Sequence, residues 1–204
     1  MKTKVKICGV TRPDDAVVAA DCGAWAIGMI FVPDTPRFLT VEQARRIVSV
    51  LPEGVLKVGV FLDASRQEVK KIDESVGLDL IQLHGSETDL YMKTIGIDRC
   101  IKTVFLSGPE KLGFALKSAA PSLLVDKPRA AAGVVDWGLA GKLAQERERV
   151  LLAGGLHAGN VDDAVRVVHP WGVDVSSGVE RAPGIKDKTK IRDFFDAVVR
   201  GETA

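Results

Sequence analysis

The sequence predicts an α/β chain closed into a single small (β/α)8, or TIM, barrel spanning residues 1–204, on three observations. Short apolar runs, most of them near-continuous rather than alternating, recur along the chain, as expected of strands covered on both faces. Between them lie amphipathic stretches of helical length, so strand and helix alternate from one end to the other. The units number eight, the count at which right-handed βα crossovers close into a barrel. An open doubly wound sheet is the competing architecture. Against it, no Gly-x-Gly-x-x-Gly follows the first strand and no long crossover reverses the strand order.

The first strand spans residues 4–8, from Lys4 to Cys8, and stops at the turn residues Gly9 and Thr11-Arg12-Pro13. Pro13 suits the first turn of a helix over 13–22. The second strand is the apolar run 25–32, followed by a helix at 41–50. Strands at 56–62 and 78–83 flank a helix at 66–75. A weaker helix at 87–95 leads to a strand at 99–105, a short helix at 109–118 and a strand at 122–126. The last units are a helix at 136–147, a strand at 149–153, a helix at 160–168, a strand at 172–175 and a helix at 187–199. The charged run 186–192 is expected to form a solvated helix start.

The chain has 204 residues, enough for one sizeable core, and at 46% hydrophobic and 27% charged its composition is that of a globular protein. A net charge of +1 provides no overall field for nucleic acid or an anionic membrane, so neither is expected as a partner and any anion must be bound locally. Three scattered cysteines, Cys8, Cys22 and Cys100, do not suit a disulfide framework and point to a reducing, cytoplasmic setting. No targeting or membrane segment is expected, because the longest apolar-looking run, 17–32, is short and contains Asp21. The sequence does not fix an oligomeric state.

In a barrel of this kind chemistry gathers at the C-terminal strand ends. Those ends carry Cys8, Asp34-Thr35-Pro36-Arg37, Asp63, His84-Gly85, Asp126-Lys127, Gly154-Gly155 and Ser176-Ser177-Gly178. Free cysteines more often pack as small hydrophobes, but Cys8 ends a strand with Lys6 on the same face, and a nearby ammonium favours the thiolate. Strands one and six are separated by two others in the closed ring, so Cys8 and Asp126 can face each other as a proton-transfer pair. Asp126 alone also suits a turn or cap, and Gly154-Gly155 alone also suits a tight strand-to-helix turn. Two glycine-bearing loops side by side, after strands seven and eight, favour a phosphate site. His84 stands at the mouth as either a ligand contact or a satisfied structural histidine. His84, His157, Cys8 and Asp126 lack the close local spacing of a zinc motif, so no metal is expected.

With those residues in view, the chain resembles the phosphoribosylanthranilate isomerase family of tryptophan biosynthesis. The matching stretches run in the family's order: Lys6-Ile7-Cys8-Gly9-Val10-Thr11, Thr35-Pro36-Arg37, Val58-Gly59-Val60-Phe61, Gln82-Leu83-His84-Gly85 and Ala153-Gly154-Gly155-Leu156 with Asn160-Val161. They end in Gly172-Val173-Asp174-Val175-Ser176-Ser177-Gly178-Val179-Glu180 and Pro183-Gly184-Ile185-Lys186-Asp187. The resemblance implies an Amadori rearrangement of N-(5'-phosphoribosyl)anthranilate without cofactor. Cys8 would be its general base, Asp126 its general acid and Arg37 the anchor for the anthranilate carboxylate. Gly154, Gly155, Ser177 and Gly178 are expected at the phosphate and His84 at the substrate. A non-catalytic phosphosugar-binding barrel and a related sugar-phosphate epimerase are the competing readings. One stretch departs from the family's glycine-rich pattern: after strand six this chain reads Ala130-Ala131-Ala132-Gly133-Val134-Val135-Asp136-Trp137. Alanine resists positive φ and its Cβ holds a ligand off the backbone, so this loop is expected to meet substrate differently, with Lys127 and Arg129 as neighbouring cations.

Overall fold

A computed structural model of the chain describes residues 2–128 and 135–203. The alanine-rich stretch at 130–132 and Arg129 lie outside those residues. Eight parallel strands close into a barrel in sequence order, each paired with its neighbours and the last with the first. They are β1 (Lys4–Cys8), β2 (Ala26–Ile30), β3 (Leu56–Phe61), β4 (Leu80–Leu83), β5 (Cys100–Phe105), β6 (Ser122–Asp126), β7 (Val150–Leu152) and β8 (Gly172–Val175). The helices between and after them are α1 (Pro13–Asp21), α2 (Val41–Val48), α3 (Arg66–Val76), α4 (Asp89–Ile95), α5 (Pro109–Lys117), α6 (Trp137–Glu146), α7 (Val161–Val168) and α8 (Lys188–Thr203).

The helix boundaries follow local chemistry. Thr40, Ser65, Thr88 and Asp136 each accept a backbone N–H in the first turn of α2, α3, α4 and α6, and Thr40 with Gln43 completes a reciprocal capping box. Gly77 and Gly96 end α3 and α4 in the left-handed region that glycine adopts without steric cost. Where expected and observed ends differ, the shift is mostly one to three residues. The largest is α8, which runs past residue 199 to Thr203 because Val198 and Gly201 remain buried against the rest of the fold.

Two apolar regions hold the layers together. The larger lies between strands and helices and includes Ile7, Ile27, Phe61, Leu83, Leu123, Val173 and Phe194. The smaller fills the lower barrel with Ala26, Val58, Ile101, Leu124 and Leu151, and Trp25 packs edge-on to Trp171 beside it, 4.9 Å between ring centroids. On alternating positions above this plug the interior turns polar. Lys6, Gln82, Thr103 and Asp174 are all buried there.

A short antiparallel hairpin of β9 (Glu180–Ala182) and β10 (Ile185–Lys186) was not foreseen. Gly184 turns it at φ +80, and a Cβ at that position would lie 2.7 Å from the Pro36 carbonyl oxygen. The same residue's carbonyl accepts the Thr11 hydroxyl. The hairpin therefore ties the loops after β1, β2 and β8 to one another. It also corrects one end of the run 186–192: Lys186 is only 2% exposed, because β10 turns its side chain inward beneath the end of β1, whereas α8 starts at Lys188 with Lys188, Thr189, Lys190 and Arg192 exposed as expected.

Candidate active site

The C-terminal strand ends surround a cavity of about 850 Å3, within the size range of small-molecule sites. Cys8, Arg37, His84, Asp126, Gly154, Gly155 and Ser177 all line it. Ile30, Val32, Val60, Leu62 and Phe105 supply an apolar wall. Gly178 is not among the lining residues. A Cβ there would fall 2.0 Å from the Leu156 carbonyl oxygen, so this glycine lets the loops after β7 and β8 touch.

Cys8 is 6% exposed at the end of β1. A Cβ on Gly28, its partner across the β1–β2 pair, would lie 2.9 Å from Cys8 Sγ and 3.0 Å from Lys6 Nζ, so both groups crowd the bare backbone of β2. Burial pushes the thiol's pKa up, and the Asp174 carboxylate adds to this, while Lys6 and Lys186 pull it down. The net direction is upward, so the neighbouring ammonium expected to favour the thiolate offsets desolvation only in part. The ammonium itself is secured. Lys6 Nζ donates to Asp174 Oδ1 at 2.7 Å, and although burial opposes its charge, the carboxylate holds the lysine's pKa above its ordinary value.

Asp126 and His84 form the facing wall. Their side chains keep 23% and 32% exposure, and His84 Nε2 stands 3.8 Å from Asp126 Oδ2. His84 Nδ1 lies 3.2 Å from the Thr103 hydroxyl. Burial raises the Asp126 pKa, opposed by the Lys127 backbone N–H donating to Oδ1 at 2.7 Å and by His84. Burial likewise lowers the His84 pKa, which favours neutral imidazole. Burial outweighs what opposes it, so the carboxyl retains a proton more readily than an exposed aspartate.

Arg37 reaches the rim over Gly9, where a Cβ would meet the arginine Cδ at 2.5 Å. Its Nε and Nη2 donate to the two oxygens of Glu180 at 2.8 and 2.6 Å. Glu180 also accepts from Lys186 Nζ at 2.9 Å, and that ammonium donates to the Cys8 and Ser176 carbonyls at 2.6 and 3.1 Å. Gly154 and Gly155 both take positive φ, +78 and +85. At Gly154 a Cβ would press Asp126 Oδ1 at 3.0 Å. Asp63 stands at the mouth as a carboxylate that accepts the Ser86 N–H and hydroxyl at 2.7 and 2.8 Å, which lowers its pKa and joins the loops after β3 and β4.

Lys186, Glu180 and Asp174 are parts of this site to which the sequence reading gave no role. A signal for Asp174 exists: it is a lone acid on an otherwise apolar strand, on the face that the barrel turns inward. Gln82 Oε1 and Ser176 Oγ are buried without a hydrogen-bond partner, and both residues line the cavity. Among the described residues no group of three or more His, Cys, Asp and Glu is arranged to hold a metal ion. No helix among them is long and apolar enough to cross a membrane.

Fold and mouth together define a small (β/α)8 barrel in which a buried thiol and a half-buried carboxyl flank one cavity. A family profile for N-(5'phosphoribosyl)anthranilate (PRA) isomerase matches residues 5–197. The N-(5'-phosphoribosyl)anthranilate isomerase of Syntrophus aciditrophicus (strain SB) is 41% identical over 203 residues, covering 97% of this chain and 88% of the relative. That of Pseudomonas putida (strain W619) is 43% identical over 201 residues, covering 95% and 96%. The crystal structure of the phosphoribosyl anthranilate isomerase from Thermotoga maritima superposes with a TM-score of 0.91 at 35% identity, covering 99% of this chain and 100% of that one. A phosphoribosyl anthranilate isomerase in complex with reduced 1-(o-carboxyphenylamino)-1-deoxyribulose 5-phosphate superposes at 0.89 with 35% identity, covering 97% and 98%. The chain belongs to the N-(5'-phosphoribosyl)anthranilate isomerase family.

Proposed function

We propose that this chain, acting as one barrel domain over residues 1–204 in the cytoplasm, converts N-(5'-phosphoribosyl)anthranilate into 1-(2-carboxyphenylamino)-1-deoxyribulose 5-phosphate without a cofactor. The observation that carries the reading is a thiol and a carboxyl from β1 and β6 on one cavity, in a chain of this family. The phosphate lies at Gly154, Gly155 and Ser177, where glycine backbones let amides approach an anion. The anthranilate ring packs on Ile30, Val32, Val60, Leu62 and Phe105, and Arg37 meets its carboxylate with the guanidinium N–H groups that Glu180 leaves over.

Asp126 gives its proton to the ribose ring oxygen, the bond from that oxygen to C1 breaks, and an iminium forms between C1 and nitrogen. The iminium acidifies the proton on C2. The Cys8 thiolate takes that proton, and the electron pair moves into the C1–C2 bond to give an enolamine. Ketonisation adds a proton at C1 and removes one from the C2 hydroxyl, so the sum is an isomerisation with no external oxidant. Positioning the two groups on opposite walls lets acid and base act on the bound sugar together.

The test is turnover of freshly prepared phosphoribosylanthranilate, followed as loss of its anthranilate fluorescence. Turnover by the purified chain that ends in the ketose supports the isomerase. A folded protein that binds a reduced product analogue and shows no turnover would replace it with a phosphosugar-binding barrel.

A further inference from the structure

The thiol sits in a cluster of charges more elaborate than a base requires for proximity alone. Around Cys8 are Lys6 from β1, Asp174 from β8, Lys186 from β10 and Arg37 from the loop after β2, while β2 presents only Gly28. Glu180 from β9 joins Arg37 to Lys186. These five groups sum to one positive charge, so that the cluster including Cys8 is cationic with the thiol protonated and neutral with it ionised. Lys6 and Asp174 are the inner pair, both buried within the barrel, and Lys6 Nζ shares with Cys8 Sγ the space that a Gly28 side chain would fill.

We propose that Lys6 and Asp174 are a matched pair of positioning residues that sets the charge state of Cys8, Lys6 holding the thiolate and Asp174 limiting how far it is stabilised. The inference rests on Cys8 acting as the base. A buried thiol with no cation stays protonated and takes nothing from carbon. A thiolate held by two uncompensated ammoniums, Lys6 and Lys186, ionises readily but loses basicity as its pKa falls. Asp174 cancels the first of these ammoniums at 2.7 Å, while Glu180 draws off the second at 2.9 Å. Lys6 is thereby the thiolate's direct partner, while the cluster as a whole brings the charge to zero.

The experiment is an ultraviolet titration of thiolate absorbance, taken as the difference between each protein and its counterpart carrying Cys8→Ser, so that Cys22 and Cys100 cancel. Asp174→Asn removes the charge but keeps an amide oxygen for Lys6, and the Cys8 ionisation should move to lower pH. Lys6→Met should move it to higher pH. Each displacement should be on the order of one pH unit, as one neighbouring charge produces. The pH dependence of kcat should move with the thiol in the same two directions. A purely structural role would disturb both variants alike, so shifts of one sign, or none in folded protein, would overturn the proposal.

Lys6→Met leaves a buried carboxylate unpaired and is the variant prone to unfold. Asp174→Asn alone then decides, because an unmoved or raised ionisation there contradicts the proposal. The base assignment is separated by turnover: unimpaired catalysis by Cys8→Ser removes the base itself, whereas lost catalysis with unshifted titrations removes only the role of the pair.

Discussion

The two walls of the mouth are built on different terms. On the side of β1, β8 and the hairpin, every group around Cys8 is fixed by a charged neighbour: Lys6 by Asp174, Lys186 by Glu180 and two backbone carbonyls, and Arg37 by both oxygens of Glu180. On the side of β4 and β6, Asp126 has the N–H of the next residue and a histidine at 3.8 Å. Burial raises the pKa of both the thiol and the carboxyl; Lys6 and Lys186 oppose it at the thiol, and the Lys127 backbone N–H and His84 oppose it at the carboxyl. A base must lose its proton in a dry place, which takes compensating positive charge. An acid must keep its proton there, which desolvation and a neutral imidazole already favour.

This contrast can be broken from either wall. The largest expected effects are on kcat: Cys8→Ser and Asp126→Asn should each cost roughly 10²–10⁴-fold, the usual contribution of a positioned acid or base. Steady-state kinetics check this, and a merely twofold loss would remove the residue from its role. Arg37→Ala should act on binding instead, raising KM by about 10- to 100-fold for the loss of a charge-assisted contact worth roughly 1.5–3 kcal/mol, with kcat changed far less. A kcat effect equal to that of Cys8→Ser would mean that Arg37 belongs to the chemistry.

A smaller effect concerns the stability of the charged wall. Burial alone would raise the Glu180 pKa, but Arg37 and Lys186 outweigh it and hold the carboxyl below its ordinary value. A folded pKa below the unfolded one contributes stability above the unfolded value, near 4.5 here, and the contribution fades as pH falls through the folded value. Melting temperatures of the unmodified chain and Glu180→Gln should therefore differ at neutral pH and converge on acidification. A gap that persists unchanged into acid would show that Glu180 acts through packing alone. Smallest is a control away from the mouth: Ser65→Ala removes the oxygen that accepts the Glu68 N–H at 3.2 Å. It should cost about 1 kcal/mol in denaturant unfolding and leave kcat unchanged.

The fold was legible because its signals are local and repeated. Short apolar runs mark the strands, and Pro13 and Pro109 stand in the first turns of the helices that they open. The placement of Cys8, Arg37, His84, Asp126, Gly154 and Gly155 around one cavity followed from strand ends alone. What escaped is long-range. Lys186 looks solvated among its charged neighbours in sequence, and only a hairpin pinned by Gly184 against Pro36 brings it under Cys8. The effect of Lys6 could not be weighed either, because the sequence does not show that Asp174, 168 positions away, pairs with it at 2.7 Å.

The central claim, that one wall supplies the base and the other the acid to a sugar held between them, is tested most directly by titrating a reduced product analogue into the unmodified chain and into Cys8→Ser, with turnover measured on the same preparations. The account predicts affinities within about threefold of each other, ~0.7 kcal/mol, alongside the loss of catalysis. Parallel loss of binding and turnover, or turnover that survives without the thiol, would contradict it.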